Sequence, residues 1–295
     1  MGRDALSILN IGSLNIDLVY RVPHIVRGGE TITSTSFQTF AGGKGANQSV
    51  ALARAGAPVQ DVGRIGADGR WLIDKLAKAG VSTDAILIDE QTPTGHAIIQ
   101  VDDAGENAIV LLPGANHRIT REQVEHALAR FAGDVVLMQN EINDLASVMH
   151  AAARYGKRLV FNPAHMSAAV RAYPLDLVDT LFVNETEACE LASAGEAIAA
   201  VERLRHSWPA MRIILTRGER GAVFVDRHQT IELPAARVEA VDTTAAGDTF
   251  IGYFLAAETQ GLDARCALAL AIRAAGLCVT RPGAMDAIPH REELQ

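Results

Sequence analysis

Three cysteines in 295 residues, Cys189, Cys266 and Cys278, stand far apart with no C-x-x-C pair. Such usage excludes a disulfide scaffold and makes a reducing compartment, the cytoplasm, the expected location. Positive charge is also short: 27 basic against 35 acidic residues leave a net charge of -8. A nucleic-acid partner is therefore not expected, because such proteins need a basic surface to neutralise phosphates, although local basic groups can still hold a small anion. No apolar run is long enough to cross a membrane, so no membrane association is expected. The start lacks a charged-then-apolar leader, and Leu6 stands where a myristoylation site takes Ser or Thr. The nine histidines show no metal-ligand spacing and no H-E-x-x-H. "GGKGAN" is not the dinucleotide fingerprint G-x-G-x-x-G, and no ribose-binding acid follows it at the required distance, which removes a dehydrogenase.

What is present is an ordinary globular composition, 48% hydrophobic and 21% charged, in a chain long enough to bury a large core. "LSILNIGSLNIDLVY" opens with an apolar run ending at Gly12, the pattern of a buried strand whose C-terminal end carries Asn15 and Asp17. "ETITSTSFQTF", rich in Thr and aromatics, predicts a partly exposed strand. "AGGKGANQSVALARAGA" predicts a glycine turn and then a helix closed by Gly56. "TGHAIIQVDDAGENAIVLLPGA" predicts a hairpin with Gly105 in its turn, expected to pair with the Thr-rich segment in a small projecting sheet. Elsewhere, strands at 135–139, 158–161, 180–183 and 213–216 alternate with helices at 144–155, 185–192 and 198–204, the order of βα units on a parallel sheet covered on both faces. The whole of 1–295 reads as one domain, with a lid from segments of about 13–40 and 94–113.

"VDTTAAGDTFIGYF" carries the most chemistry. Asp248 stands in the first turn of an apolar helix, where the macrodipole stabilises any carboxylate and the residue could be a plain structural one. Gly247, with Ala245 and Ala246 before it, leaves backbone N–H groups unobstructed at the same helix start, an anion site of the kind that binds phosphate. A base beside an anion cradle suits phosphoryl transfer: the hydroxyl must lose its proton while charge on the transferred group is stabilised.

The chain resembles the PfkB family of carbohydrate kinases, the ribokinase-like group, nearly end to end. "GSLNID", "GGKGANQ", "PTGHAIIQV", "GENAIV", "GANHRIT", "NPA", "NETEA", "DTTAAGDTF" and "VTRPGA" occur in the family's order. The resemblance implies a ribokinase-like three-layer α/β/α domain with a mostly parallel central sheet and a small β-sheet lid. It implies that Asn15, Asp17, Gly43, Lys44, Asn47 and Glu141 bind sugar hydroxyls, and that Asp248 is the base beside the anion hole of Ala245, Ala246 and Gly247. A carboxylate accepting hydroxyl protons would discriminate sharply, since a substrate lacking them leaves it unpaired. Asn184 and Glu187 resemble the family's N-x-x-E motif, which organises Mg²⁺ through water and the nucleotide phosphates; they also spell a helix capping box, and both readings stand. Thr216, Gly218 and Gly221 in "LTRGERG" resemble the loop over ATP, Gly221 reading equally as a hairpin turn.

Family members often bind a monovalent cation, K⁺, through positions matching Asp242, Thr244, Cys278, Arg281 and Gly283, mostly by backbone carbonyls. Ala287 stands here where a side-chain hydroxyl is common. "HIVRGG" at 24–29, "GRW" at 69–71, Asn140, His165 and Arg217 also depart from the usual pattern without removing a catalytic group. The implied activity is transfer of the γ-phosphoryl group of ATP to the hydroxymethyl group of a small sugar, D-ribose to D-ribose 5-phosphate leading. A nucleoside, fructose or a sugar acid are alternative acceptors, and a non-catalytic sugar sensor is the alternative of another class. The lid implies a homodimer formed lid to lid.

Overall fold

A computed structural model describes residues 7–294. Residues 1–6, to which the expectation about a leader or acylation signal applies, lie outside the described residues. Fourteen strands and eight α-helices follow in the order β1 (Ile8–Ile11), β2 (Asn15–Arg21), β3 (Ser36–Gly42), α1 (Lys44–Arg54), β4 (Val59–Val62), β5 (Arg64–Gly66), α2 (Arg70–Lys78), β6 (Leu87–Asp89), β7 (Gly95–Val101), β8 (Asn107–Leu112), α3 (Arg121–Arg130), β9 (Val135–Gln139), α4 (Leu145–Arg154), β10 (Arg158–Asn162), β11 (Val178–Asn184), α5 (Glu185–Ala192), α6 (Ala197–Ser207), β12 (Arg212–Thr216), β13 (Ala222–Val225), β14 (Thr230–Leu233), α7 (Ala246–Thr259) and α8 (Ala264–Cys278).

The main sheet has eight strands in the order β14-β13-β12-β11-β10-β9-β1-β4. It is parallel from β12 to β4, and β13 and β14 add an antiparallel edge. Its strands are apolar on both faces because both are covered. Successive residues alternate between two cores: Val135 and Leu137 pack with α1, α2, α7 and α8, while Val136 and Met138 pack with α3 to α6. The three-layer α/β/α arrangement expected from the resemblance is thus what the chain adopts.

A second sheet, β3-β2-β7-β8, stands apart from the main one. Gly105, at φ +85°, turns the β7–β8 hairpin, which pairs antiparallel as expected. Two expectations need correction here. Asn15 and Asp17 do not sit at the end of β1, because the alternating run Asn15–Arg21 forms a strand of its own. Nor does the Thr-rich segment pair with the hairpin: β2 lies between them, antiparallel to β3 and parallel to β7. The strand in that segment also starts late, at Ser36, because β2 ends at Arg21 opposite it and residues 30–35 have no partner strand.

Helices α1 and α7 cross the same face in close contact. A Cβ built on Gly252 would lie 2.3 Å from Cβ of Ala51 and 2.8 Å from the Leu52 nitrogen. Glycine is what lets the two backbones approach so closely. No helix is long and apolar enough to cross a membrane among the described residues.

Candidate active site

The parallel strands end beneath the overhanging lid, and the clefts lie there, as they do in open α/β sheets. Two adjoining cavities, of about 560 and 550 Å³, share Thr216, Thr243 and Gly247. The first collects residues from the whole chain: Asn15 and Asp17 on β2, Gly43, Lys44 and Asn47 at the start of α1, Glu141 after β9, Asn184, Glu187 and Asp248. Ala97, Ile99, Ile109 and Leu111 line it from the lid. Pairing explains their shared face, since Asp17 stands opposite Ala97, and Ala97 opposite Leu111. A polar floor under an apolar roof suits a polyol whose hydroxyls must be read one by one.

The carboxylate of Asp17 occupies the space over Gly42, where a Cβ would come within 2.0 Å of Oδ2. Burial, and then the nearby Glu141 carboxylate, push its pKa up to about 6, against the pull of Lys44. Oε2 of Glu141 accepts from Ser13 Oγ and, at 3.2 Å, from the Lys44 N–H at the first turn of α1. Oε1 of Glu141 lies 3.7 Å from His165 Nε2. Burial disfavours the Lys44 ammonium, but Asp248, Glu141, Glu187 and Asp17 together outweigh it and hold the pKa above the ordinary lysine range. The side chain therefore stays charged among four acids.

Asp248 is 8% exposed. Its Oδ2 accepts from Asn47 Nδ2 at 3.0 Å and its Oδ1 from Gln48 Nε2 at 2.9 Å. Asn47 Oδ1 is buried without a partner, and a substrate hydroxyl would satisfy it. Ala245 adopts the left-handed region at φ 59°, an unusual conformation for alanine, and turns the chain into α7. No side chain caps α7; the Ala246 N–H donates to the Thr243 carbonyl at 3.3 Å, and the other amides at this helix start keep their capacity for an anion. Nothing lies within 4 Å of a Cβ placed on Gly247, one of the three residues that both cavities share.

The second cavity is lined by Thr216, Gly218 and Gly221 and by apolar groups that include Ala236, Val238, Phe250, Ile272 and Val279, a flat-sided slot suited to a nucleobase. Gly221, at φ +90°, also closes the β12–β13 hairpin, and Arg217 N–H donates to its carbonyl at 2.8 Å. Gly221 is thus a hairpin residue that also lines the second cavity. The N-x-x-E residues likewise combine a structural role with a place on a cavity wall. Asn184 Oδ1 accepts from Glu187 N at 2.8 Å, and Glu187 Oε2 accepts from Asn184 N at 2.9 Å, a capping box whose residues face the first cavity.

Asp242, Thr244, Cys278, Arg281 and Gly283 are brought together. Asp242 Oδ1 accepts from Thr244 N at 2.9 Å, its Oδ2 from Gly283 N at 2.9 Å, Cys278 Sγ lies 3.8 Å from Thr244 O, and Arg281 N donates to Cys278 O. The Asp242 carboxylate is thus spent on organising two loops, and the guanidinium of Arg281 turns away to Glu293 at 2.6 Å. Backbone carbonyls remain as donors, which fits a monovalent cation better than a divalent one. Among the described residues no group of three or more His, Cys, Asp or Glu could hold a metal. Magnesium would accordingly need the nucleotide's own oxygens, with Glu187 contributing at most through water.

Several residues here escaped sequence reasoning. Gln48, Gln139, Asn162, Asn10 and Ser49 form a buried polar set beside Asp248. The available signal was a polar residue ending an apolar strand run, as in "VVLMQ" and "RLVFN".

A buried carboxylate and an uncapped helix start where two cavities adjoin are the parts of a phosphotransferase that acts on an alcohol. The sequence model for the pfkB family carbohydrate kinase matches residues 5–291. A ribokinase of Haemophilus influenzae is 37% identical over 302 residues, covering 99% of this chain and 97% of that protein. The crystal structure of ribokinase from Cryptococcus neoformans var. grubii in complex with ADP superposes with a TM-score of 0.90 at 35% identity, covering 99% of both chains. That of Arabidopsis thaliana ribokinase complexed with ribose and ATP gives 0.89 at 28% identity, over 99% of this chain and 98% of the other. The chain belongs to the pfkB family of carbohydrate kinases.

Proposed function

We propose that the chain is an ATP-dependent sugar kinase that converts D-ribose to D-ribose 5-phosphate. The observation that carries this reading is the position of Asp248: it stands in the sugar-sized cavity next to Gly247, one of three residues shared with the second cavity. ATP lies with its base in the slot and its γ-phosphate at the start of α7. Asn15, Asp17, Gly43, Lys44, Asn47 and Glu141 hold the sugar by its hydroxyls. Asp248 takes the proton of the hydroxymethyl group as that oxygen bonds to the γ-phosphorus, and the bond to the β,γ-bridging oxygen breaks to release ADP. The N–H groups of Ala245, Ala246 and Gly247, with Lys44, meet the charge on the transferring group. Asn184 and Glu187 would hold Mg²⁺ through water, and the ion would neutralise charge on the phosphates; backbone carbonyls around Asp242, Thr244, Cys278, Arg281 and Gly283 would hold K⁺.

The lid closes the sugar cavity and keeps water from taking the phosphate. Its other face argues for a homodimer. Ile98, Val110 and Leu112 are 39%, 67% and 44% exposed, and β8 is an edge strand, an aggregation liability unless a second copy covers it. The three free thiols suit the cytoplasm.

The test is an acceptor panel assayed for ADP release, with Asp248→Ala alongside. Ribose is expected to be the best acceptor, and the variant to lose at least about a hundredfold in kcat with sugar binding nearly intact. Turnover with a nucleoside and none with ribose would replace the substrate. Tight sugar binding without ATP consumption would make the protein a sensor.

A further inference from the structure

Gln48 is completely buried and lines neither cavity. Its Nε2 donates to Asp248 Oδ1 at 2.9 Å and to Asn162 Oδ1 at 3.2 Å, while its Oε1 accepts from Gln139 Nε2 at 2.7 Å. Which end of this amide faces Asp248 is not arbitrary. Asn162 Nδ2 donates to the Phe182 carbonyl at 3.1 Å, which leaves its oxygen for Gln48. Gln139 Nε2 also donates to Asn10 Oδ1 at 2.8 Å, and Asn10 is fixed in turn because its Nδ2 donates to the Gly45 carbonyl at 2.7 Å. Two backbone carbonyls, which can only accept, thus orient both branches of the network. A flipped Gln48 would set oxygen against oxygen at Asp248 and Asn162, and N–H against N–H at Gln139.

We propose that Gln48 is a positioning residue for the base: without meeting substrate, it holds the Asp248 carboxylate aimed at the cleft through an N–H that the buried amides of Gln139 and Asn162 present in one orientation. This rests on the reading of Asp248 as the base. Two directed N–H donors fix the carboxylate: Asn47 supplies one from the cleft wall, and Gln48 supplies the one held entirely outside the cleft. The charged and titratable groups that face Asp248 are Lys44 of α1, Asp17, Glu141 and Glu187 across the cleft, and the Cys278 thiol of α8.

The experiment is kcat against pH, from about 5 to 9, at saturating sugar and ATP for the wild type, Gln48→Met and Gln139→Met, with the sugar KM at each pH. Methionine keeps the length and removes the donor. For Gln48→Met the acidic limb is expected to move up by about one pH unit, the scale of one hydrogen bond to a charged group, and kcat near pH 7 to fall about tenfold with KM unchanged. Gln139→Met, which touches Asp248 only through Gln48, should move the limb in the same direction by less. A limb left in place with kcat merely lower, or a rise in KM instead, overturns the inference. Should neither variant fold, the side-chain ¹⁵N–H signals of Gln48 in the wild-type protein carry the test: they should titrate with the acidic limb, and signals that stay put overturn the idea. Asp248→Asn separates the two levels. If it retains wild-type turnover the base assignment itself fails, whereas its loss of turnover beside an unmoved limb in Gln48→Met sinks only the role of Gln48.

Discussion

Replacing Gly252 by alanine sets two ordinary effects against each other at a point where the site depends on the outcome. In a helix interior, alanine in place of glycine gains about 0.5–1 kcal/mol from backbone entropy. The added methyl, however, would lie 2.3 Å from Cβ of Ala51 and 2.8 and 2.9 Å from backbone atoms of Leu52 and Ala51, where carbon atoms need roughly 3.5–4.0 Å. No rotamer relieves a clash of Cβ with backbone, so α1 and α7 must separate by on the order of 1 Å, at the usual cost of about 1–3 kcal/mol for overpacking. The clash exceeds the propensity gain, and a net loss of about 1–2 kcal/mol follows, which lowers Tm by roughly 2–8 °C in a chain of this size. The consequence for chemistry is larger. Gly252 follows Asp248, and Ala51 follows Asn47, by four residues in each helix, so the contact point lies one turn below the hydrogen bonds at 3.0 and 2.9 Å that hold Asp248, the proposed base. Displacement of a catalytic group by about 1 Å can cost a hundredfold in rate. Thermal unfolding with steady-state kinetics is the assay: Gly252→Ala should melt lower and lose about ten- to a hundredfold in kcat. A variant that melts higher with wild-type kcat would show that the helices do not hold the base by their close approach.

Gly247→Ala makes the contrasting case, because nothing lies within 4 Å of the new methyl; the melting temperature should hold or rise, while kcat/KM for ATP falls about tenfold or more, a result opposite to that at Gly252. Asp17 gives a pH dependence with a definite sign. Its pKa of about 6 in the fold exceeds the ordinary aspartate value of 3.8, so the stability its protonated form provides is present below about 3.8 and is lost as pH rises through about 6. Asp17→Asn should therefore melt above the wild type near pH 7.5 and bind sugar at least about a hundredfold more weakly, and the wild-type sugar KM should rise as pH falls below about 6; a KM flat across that range would refute the assignment. Val110→Lys places a charge on the exposed apolar face of the lid, and sedimentation should show a dimer becoming a monomer, with a wild-type monomer at micromolar concentration refuting the dimer instead.

How much of this was legible depends on how far apart in the chain the interacting residues stand. Elements whose signal is local were read nearly residue by residue: the apolar run at 135–139 is β9, and the stretch 185–192 is α5. The β7–β8 hairpin, with its turn at Gly105, was equally local. Pairing between segments was not. Asn15–Arg21 alternates like any strand, but only the three-dimensional arrangement shows that it separates the Thr-rich strand from the hairpin and so carries Asp17 into the lid. The site shows the same division. Asp248 could be found because its helix start is written in consecutive residues, and Asn184 with Glu187 because capping and phosphate-side placement both require a helix N-terminus; the capping box and the cleft turn out to use the same two side chains. Gln48 carries no local mark, although it is the neighbour of Asn47 in the same motif. Its partner in the base lies 200 residues away, and its orientation is set by strand ends 91 and 114 residues distant. A sequence can thus announce a carboxylate at the start of a helix, because that placement needs a particular local backbone. The groups that hold the carboxylate in place need only a donor at the right distance, and any strand end that the fold delivers there can supply one.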